Sequence, residues 1–416
     1  MKQAVTVITH QVGFGEINAW ATLLAVTWLD VRQLLSVAEI QADSTVIRSE
    51  VVVYLPHLPT RLSQMTSPVM PSHPFLMPWF PSSPLPTETA IEAPFEAVAW
   101  IASTELVQQA LPQLVQLKDW SLLNLAQILE QLNLPFYWGT VSALPVSSIT
   151  CPTSTHTVLA VVPHYCCELW LARCLRSLLA QTRPPDHIVV IDDASNRLPA
   201  EIVESFPSVT LLAASQRVGP YRLIQQVIDD THYWGYLFQD ADDWSSSDRL
   251  QQLMYLALTT GAELVGTQEM RVNEDTARCI PINYPLDVNA ALATKPGHAM
   301  LHPTSLVTRD LVQRLGGFAT GLRFGGDTEF LLRAVWVAQV INLPSYSYFR
   351  RKRPNSLTTD PATGLESPAR RQLLHQLKQG AIARQATSTA GQQPDLRAIA
   401  TAPAIQLTHI TGPCLH

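Results

Sequence analysis

The chain has 416 residues, enough for two domains and a tail; it is 47% hydrophobic and 15% charged, with a formal net charge of −6. That is a globular composition, and its acidic balance supplies no basic field of the kind nucleic acid requires. The six cysteines, at 151, 166, 167, 174, 279 and 414, form no C-x-x-C pair, which argues against zinc and fits the reduced thiols of a cytoplasmic protein.

The N-terminal stretch lacks the charged-then-apolar order of a signal peptide. Its longest apolar run, 17–29, is broken by Asn18 and by threonines and is too short to span a bilayer. It reads as a buried amphipathic helix, with peripheral contact at the inner face of a membrane as the competing reading. Residues 1–55 are thus expected to be helix-rich, closed by the strand VVVYL (51–55). The proline-rich stretch 56–86 excludes continuous helix and central strand. Folded sequence returns over 91–150, and the Ser/Thr/Pro patch 145–156 reads as a linker.

From 157 to about 360 short apolar runs alternate with helical patterns: strand 157–163, helix 168–181, strand 187–193, strand 209–212, helix 220–229 and strand 234–238. That order predicts an α/β domain with a mostly parallel sheet covered by helices on both faces. From 361 a Gln/Ala/Thr-rich tail reads as one helix, near 367–379, in otherwise disordered sequence.

Ligands of parallel sheets sit at the carboxyl ends of the strands. Here those ends carry Pro163-His164-Tyr165, then Asp192-Asp193, then Asp240-Ala241-Asp242-Asp243. Two carboxylate clusters closing strands of one sheet repel each other unless a cation or a set of donors meets them. Later come Asp327, ahead of the apolar helix 330–336, and the densest basic run in the chain, Arg350-Arg351-Lys352-Arg353.

In order, "VVPHYCCELWLARCLRSLLAQTRPPDHIVVIDDAS", "QRVGPYRLIQQVIDD", "GYLFQDADDWSSSDRLQQ", "LGGFATGLRFGGDTEFLLRA" and "YFRRKRPNSLTT" resemble five successive blocks of family 2 glycosyltransferases. The resemblance covers about 157–360 and implies the GT-A fold and a hexosyltransferase. It further implies a nucleotide-diphosphate sugar donor, UDP-linked, a glycan or lipid-linked acceptor, and Mn²⁺ or Mg²⁺ as cofactor. Site residues carry over by position. Asp242, with Asp240, is the metal ligand, and Asp240 also contacts ribose or sugar. Asp192 and Asp193 receive base and ribose, Pro163 and Tyr165 pack beside the base, and Arg222 meets the diphosphate or pairs with an aspartate.

The run 350–353 is expected to form a lid loop in which Arg351 and Arg353 bind the diphosphate. Asp327 is the expected general base. The family's usual acidic pair there is Glu-Asp, and this chain has Gly326 in the first place; Glu329 reads as pointing to solvent, with assisting the base as the alternative. His298 and His302 are weak ligand candidates. Two alternatives stay open: a sugar nucleotidyltransferase, disfavoured because no Gly-rich basic loop follows the first strand, and an inactive nucleotide-sugar binding module.

Residues 97–138 run from an apolar strand past Asp119 and an apolar helix to Asn-Leu-Pro and aromatics. Residues 299–348 repeat that order around Asp327. Residues 1–150 are therefore expected to be a shortened, degenerate copy of the domain at 151–360, followed by the tail at 361–416. Helical periodicity alone generates such matches too.

Overall fold

The computed structural model describes residues 4–9, 25–30, 51–55, 74–79, 99–117, 121–139, 141–142, 156–273, 278–354 and 356–415. The chain divides into one unit of Met1–Val141 with Arg271–Pro281 and a second of Ser142–Met270 with Ile282–His416.

The first unit holds β1 (Ala4–Thr9), β2 (Ala25–Asp30), β3 (Val51–Leu55), β4 (Phe75–Trp79), β5 (Ala99–Ser103) and β6 (Tyr137–Trp138) in the order β2-β1-β3-β5-β4-β6. Helices α1 (Thr104–Leu117) and α2 (Leu122–Gln131) follow β5. Ser121 caps α2, its hydroxyl accepting the Asn124 N–H at 3.3 Å. Two expectations are corrected here. Residues 25–30 are a strand paired with β1, not the end of a helix; β-branched and aromatic side chains favour the pleat. Pro78 lies inside a strand, yet β6 pairs with β4 only at Phe75 and Leu76, so this part of β4 has a single partner. Residues 17–24, most of the proline-rich stretch, the linker at 145–155 and Asp119 lie outside the described residues.

The second unit is built on β7 (Val158–His164), β8 (His187–Asp192), β9 (Val209–Ala214), β10 (Gly235–Phe238), β12 (Leu264–Gly266), β13 (Leu306–Thr308), β14 (Val340–Asn342) and β16 (Leu407–Thr411). Two further strands, β11 (Trp244–Ser245) and β15 (Tyr348–Lys352), pair with each other at its rim. The large sheet has the order β14-β12-β13-β10-β7-β8-β9-β16, and only β13 and β16 run against the rest.

Alternation along the strands assigns the two faces. Leu159, Val161, Val189 and Ile191 pack on α5 (Pro220–Asp230), α9 (Gly326–Ala334) and α10 (Pro368–Thr389). Val158, Ala160, Val162, Ile188 and Val190 pack on α3 (Glu168–Leu179) and α6 (Arg249–Thr260). Both faces are buried, as apolar runs without polar alternation require. The shorter helices α4 (Ala200–Glu204), α7 (Val288–Thr294) and α8 (Arg309–Arg314) complete the shell.

The C-terminal segment departs from its expected disorder. The helix there is 22 residues long, and β16 adds an antiparallel edge strand to β9. Between them the chain is tied down: the Ala400 carbonyl accepts the Gly321 N–H at 3.2 Å and the Ala402 N–H donates to Thr320 Oγ1 at 2.8 Å. A polar composition does not preclude order when the backbone groups find partners.

The sheets of the two units correspond. The run β8-β7-β10-β13-β12-β14 repeats β2-β1-β3-β5-β4-β6, with the same parallel or antiparallel sense at every step. In each unit a helix follows the reversed strand directly, and a second helix precedes the last strand.

Candidate active site

The first two strand ends meet through a buried histidine. Asp192 Oδ1 lies 2.8 Å from His164 Nδ1, and His164 Nε2 accepts the Cys167 N–H at 3.2 Å, which places the ring proton on Nδ1. Asp192 Oδ2 accepts the Ser195 N–H at 2.8 Å. Burial would raise its pKa, but the donors from His164 and Ser195 outweigh that and hold it below the usual carboxylate range. Asp192 is fully buried and lies off the cavity, so its expected contact with the nucleotide is replaced by a role in holding His164.

Asp193 does face the cavity. Its two oxygens accept the Val218 N–H at 2.6 Å and the Gly219 N–H at 2.9 Å, fixing the loop that enters α5. Gly219 has φ +87°, and Pro220 opens the helix, so the turn needs glycine there. Burial raises the Asp193 pKa against those two donors and Arg217.

Arg217, which sequence reasoning passed over, lines the same wall with its Cζ 3.7 Å from the Tyr165 ring centroid. Arg222 turns away: its Nε donates to the Pro403 carbonyl at 2.8 Å, and it lines a separate groove against the C-terminal segment. Only residues facing the strand ends can meet the ligand, and the α5 periodicity carries Arg222 past them.

The third strand end is the acidic turn. Arg249, from the start of α6, is fully buried and holds it. One of its nitrogens donates to Gln239 Oε1 at 2.8 Å and Ser245 Oγ at 2.9 Å. The other donates to the Phe238 carbonyl at 2.9 Å and the Pro303 carbonyl at 2.7 Å. Asp243 is buried as well; it accepts the Tyr348 hydroxyl and the Arg351 N–H, each at 2.7 Å. Burial, with Asp242 and Asp240 beside it, pushes its pKa well up. Asp242 Oδ2 accepts Arg353 Nε at 2.7 Å. No hydrogen bond from a donor among the described residues reaches the Asp240 carboxylate, and burial together with Asp242 pushes its pKa up to about 7.

The basic run is not a lid loop. Residues 350–352 belong to β15, paired with β11, where Phe349 stacks on Trp244 at 5.4 Å. Strand alternation splits the charges: Lys352 is exposed, while Arg351 is buried between Trp170 and Trp244, 5.5 and 5.3 Å from their ring centroids. Its Nε donates to the Asp242 carbonyl at 3.0 Å. Arg353 lies 4.4 Å over Trp170 and donates to Cys167 Sγ at 3.1 Å as well as to Asp242. Arg350 pairs with buried Glu269 at 3.5 Å.

Asp327 opens α9 and accepts the Tyr221 hydroxyl at 3.1 Å. Burial would raise its pKa; His298, His302, the Thr328 N–H and Tyr221 outweigh that and lower it. Asp327 lines a small cavity of about 20 Å³ with His302, not the large one. It is nevertheless close enough to raise Asp240 electrostatically. Burial pushes His302 down to about 4, and it stacks on Phe238 at 4.1 Å, so it is an uncharged packing residue rather than a ligand. His298 sits beside Thr328 Oγ1 at 3.3 Å.

Glu329 corrects its expectation. It is buried in a two-pronged ion pair with Arg333, at 2.9 and 2.7 Å, and accepts the Ile399 N–H. The glycine at 326 also has a cause: a Cβ there would stand 2.7 Å from Tyr221 Cδ2. The tyrosine ring occupies the space that the first acid of a Glu-Asp pair would need, and its hydroxyl takes up Asp327.

Pro163, Tyr165, Asp193, Arg217, Asp240, Asp242, Arg350, Arg351 and Arg353 therefore share one cavity of about 730 Å³. Among the described residues no three His, Cys, Asp or Glu side chains are gathered to ligate an ion unaided. Asp240 and Asp242 are two hard-oxygen donors of the kind a divalent cation takes. Among the described residues, no helix is long and apolar enough to cross a membrane.

Comparison with known proteins bears on this arrangement. Residues 159–315 match the model described as "Glycosyl transferase family 2". The "Uncharacterized glycosyltransferase EpsJ" of Bacillus subtilis (strain 168) is 28% identical over 231 residues, covering 49% of this chain and 63% of that protein, so the chain spans less than two thirds of its length. Among solved structures, S. aureus TarS 1–349 in complex with UDP-GlcNAc aligns at TM-score 0.41 and 19% identity, over 48% of this chain and 60% of that one. The same TarS segment in complex with UDP aligns at 0.42 and 18%, over 56% and 72%. The matched stretch runs from β7 to α8 and contains the ends of β7, β8 and β10, so over these residues the chain is similar to family 2 glycosyltransferases.

Proposed function

We propose that the second unit transfers a hexose from a nucleotide-diphosphate sugar, UDP-linked, to a hydroxyl of a glycan or lipid-linked acceptor, with inversion and with the help of Mn²⁺ or Mg²⁺. One observation carries the reading: the acidic turn, the inward arginines and the Tyr165–Arg217 wall face a single cavity. A divalent cation on Asp240 and Asp242, when bound, neutralises charge on the leaving diphosphate.

The residues divide the rest of the work. Arg353 is the counterion of Asp242. A cation held by Asp242 would release Arg353 to donate to a phosphate oxygen, so neither charge would be left buried alone. Arg350 lines the same cavity. Tyr165 and Arg217 offer a ring face and a guanidinium plane to the base, beside Asp193. Asp327, held low by its donors, takes the acceptor's proton as the oxygen attacks opposite the diphosphate.

The test is transfer or donor hydrolysis by the full chain, with and without Mn²⁺, for wild type and Asp242→Ala. Metal-dependent turnover lost in the variant supports the reading. Full turnover in the variant at ordinary metal concentrations would overturn the metal assignment.

The sheet correspondence supports a second reading, that the first unit is a degenerate copy of the same fold. No Asp-x-Asp follows β3, where the chain reads Pro56-His57-Leu58-Pro59. One nucleotide per chain by calorimetry is the expected stoichiometry; two would contradict an emptied copy.

A further inference from the structure

We propose that Arg370, from the helix beyond the matched stretch, is a positioning residue that holds two walls of the cavity in one arrangement. It sits in the first turn of α10, whose N-cap is Ser367; that hydroxyl accepts the Arg370 N–H at 3.3 Å. The side chain then turns inward and is almost fully buried. Its Nε donates to the Thr363 carbonyl at 2.7 Å and one terminal nitrogen donates to the Leu357 carbonyl at 3.2 Å. Its Cζ stands 4.9 Å from the Phe324 ring centroid.

The contacts reach two parts of the site. Leu357 and Thr363 bracket the turn segment 356–363, and both line the cavity along with Ser356, Thr358 and Asp360. Phe324 follows directly on the rim residues Leu322 and Arg323, and stands three residues before Asp327. The helix also reaches the start of α9. Gly325, at φ +76°, caps α9, and a Cβ added to it would meet Leu373 of α10 at 3.2 Å. Leu377 and Ala381 anchor α10 in the core.

A guanidinium suits the task for a physical reason. Its planar fork directs donors at two carbonyls in fixed directions while its face lies on an aromatic ring. An ammonium can meet one carbonyl at a time. The segment 356–363 has turns but no sheet pairing; apart from Arg350, which donates to Thr358 Oγ1 at 3.4 Å, its other bonds are short-range, such as Asp360 N–H to the Ser356 carbonyl at 2.8 Å. The two bonds from Arg370 are its ties to a helix rooted in the core.

That this arrangement serves donor binding rests on the glycosyltransferase reading; that Arg370 fixes the wall does not. The experiment uses the full chain with Arg370→Ala, Arg370→Lys and Phe324→Leu. Hydrogen exchange of peptides over 356–363, without ligand, is compared with peptides from β7 to β10. We expect exchange over 356–363 to quicken about tenfold or more in the alanine and lysine variants, with the sheet peptides unchanged. Donor KM should rise in both, by more than kcat falls.

Unchanged protection of 356–363 in Arg370→Ala overturns the proposal. Equal loss of protection across the sheet also overturns it, since Arg370 would then be a general scaffold residue. If Arg370→Ala does not fold, Arg370→Lys and Phe324→Leu decide by the same two criteria. If the wild type binds no UDP in the presence of Mn²⁺, the function reading fails while the exchange result still settles the wall.

Discussion

Replacing Tyr221 with Phe isolates one hydroxyl at the base. The ring would stay in place, stacked on Phe318 at 6.5 Å and packed over Gly326, so the fold should hold. What goes is the donor 3.1 Å from Asp327. Burial and the Asp327 charge keep the Tyr221 proton in place far above neutral pH, so the hydroxyl donates across any assay range. A hydrogen bond to an ionised carboxylate contributes about 1.5–3 kcal/mol. At 1.36 kcal/mol per pH unit, losing it should move the acid limb of kcat/KM upward by at least about one unit. The sign follows from the donor: it favours the charged form, so its loss makes Asp327 harder to ionise. The Thr328 N–H still favours the charged form of Asp327. The assay is a pH profile of transfer for wild type and variant, with donor affinity measured by calorimetry. An acid limb that stays where it was, with activity reduced, would refute the assignment of Asp327 as the titrating base.

Asp327→Asn should leave donor affinity within a few-fold of wild type while lowering turnover by ~10²–10⁴; a matching collapse of affinity would make Asp327 a donor-site residue instead. Gly326→Ala should cost about 1–3 kcal/mol in thermal or denaturant unfolding, because the new methyl meets the Tyr221 ring at 2.7 Å. Gly326→Ala combined with Tyr221→Ala should be milder than the sum of the two single changes, and strict additivity would contradict the shared space.

Much of the second unit was legible because apolar strands and amphipathic helices alternate there with clear punctuation. The strand ends could be located to the residue, and Asp193, Asp240 and Asp242 line the large cavity there, whereas Asp327 lines a separate small one with His302. The errors share a cause: sequence shows which residues are adjacent in the chain but not which way each side chain points. Asp192 and Asp193 differ by one position, and the strand's alternation sends one to His164 and the other to the cavity. Arg351 and Arg353 look like a mobile basic loop until strand pairing with Trp244 is known. Their hydrogen-bond partners, Asp242 and Asp243, stand more than a hundred residues earlier in the chain. His164, Arg217 and Arg249 were overlooked because each works through neighbours that only the fold supplies. Arg370 lay in sequence read as tail, since long-range backbone pairing such as β16 on β9 leaves no local periodicity. The likeness between 97–138 and 299–348 was the opposite case, a weak local signal that the order and sense of twelve strands in two sheets now support.

The carboxylates around the cavity differ in what satisfies them, and that difference sets a pH dependence. Asp192 has His164 and the Ser195 N–H; Asp193 has two backbone donors; Asp243 has Tyr348 and the Arg351 N–H; Asp242 has Arg353. Asp240 faces Asp242 and Asp327 with only the more distant pull of Arg350 and Arg353, and its pKa rises to about 7. A carboxyl raised in the folded chain binds more protons folded than unfolded between about pH 4 and 7. From that group, stability without metal should therefore fall as pH rises through this window and level off above it. A divalent cation must displace the same proton, so its apparent affinity should climb up to about tenfold per unit below pH 7 and flatten above. Asp240→Asn removes the titrating group and should abolish both slopes while weakening metal binding. The measurements are thermal unfolding in EDTA from pH 5 to 8 and Mn²⁺ titration over the same range. Metal affinity already at its plateau by pH 5, with unfolding equally flat, would show that Asp240 is ionised without its cation, and the unmet carboxylate would have to be sought elsewhere in the turn.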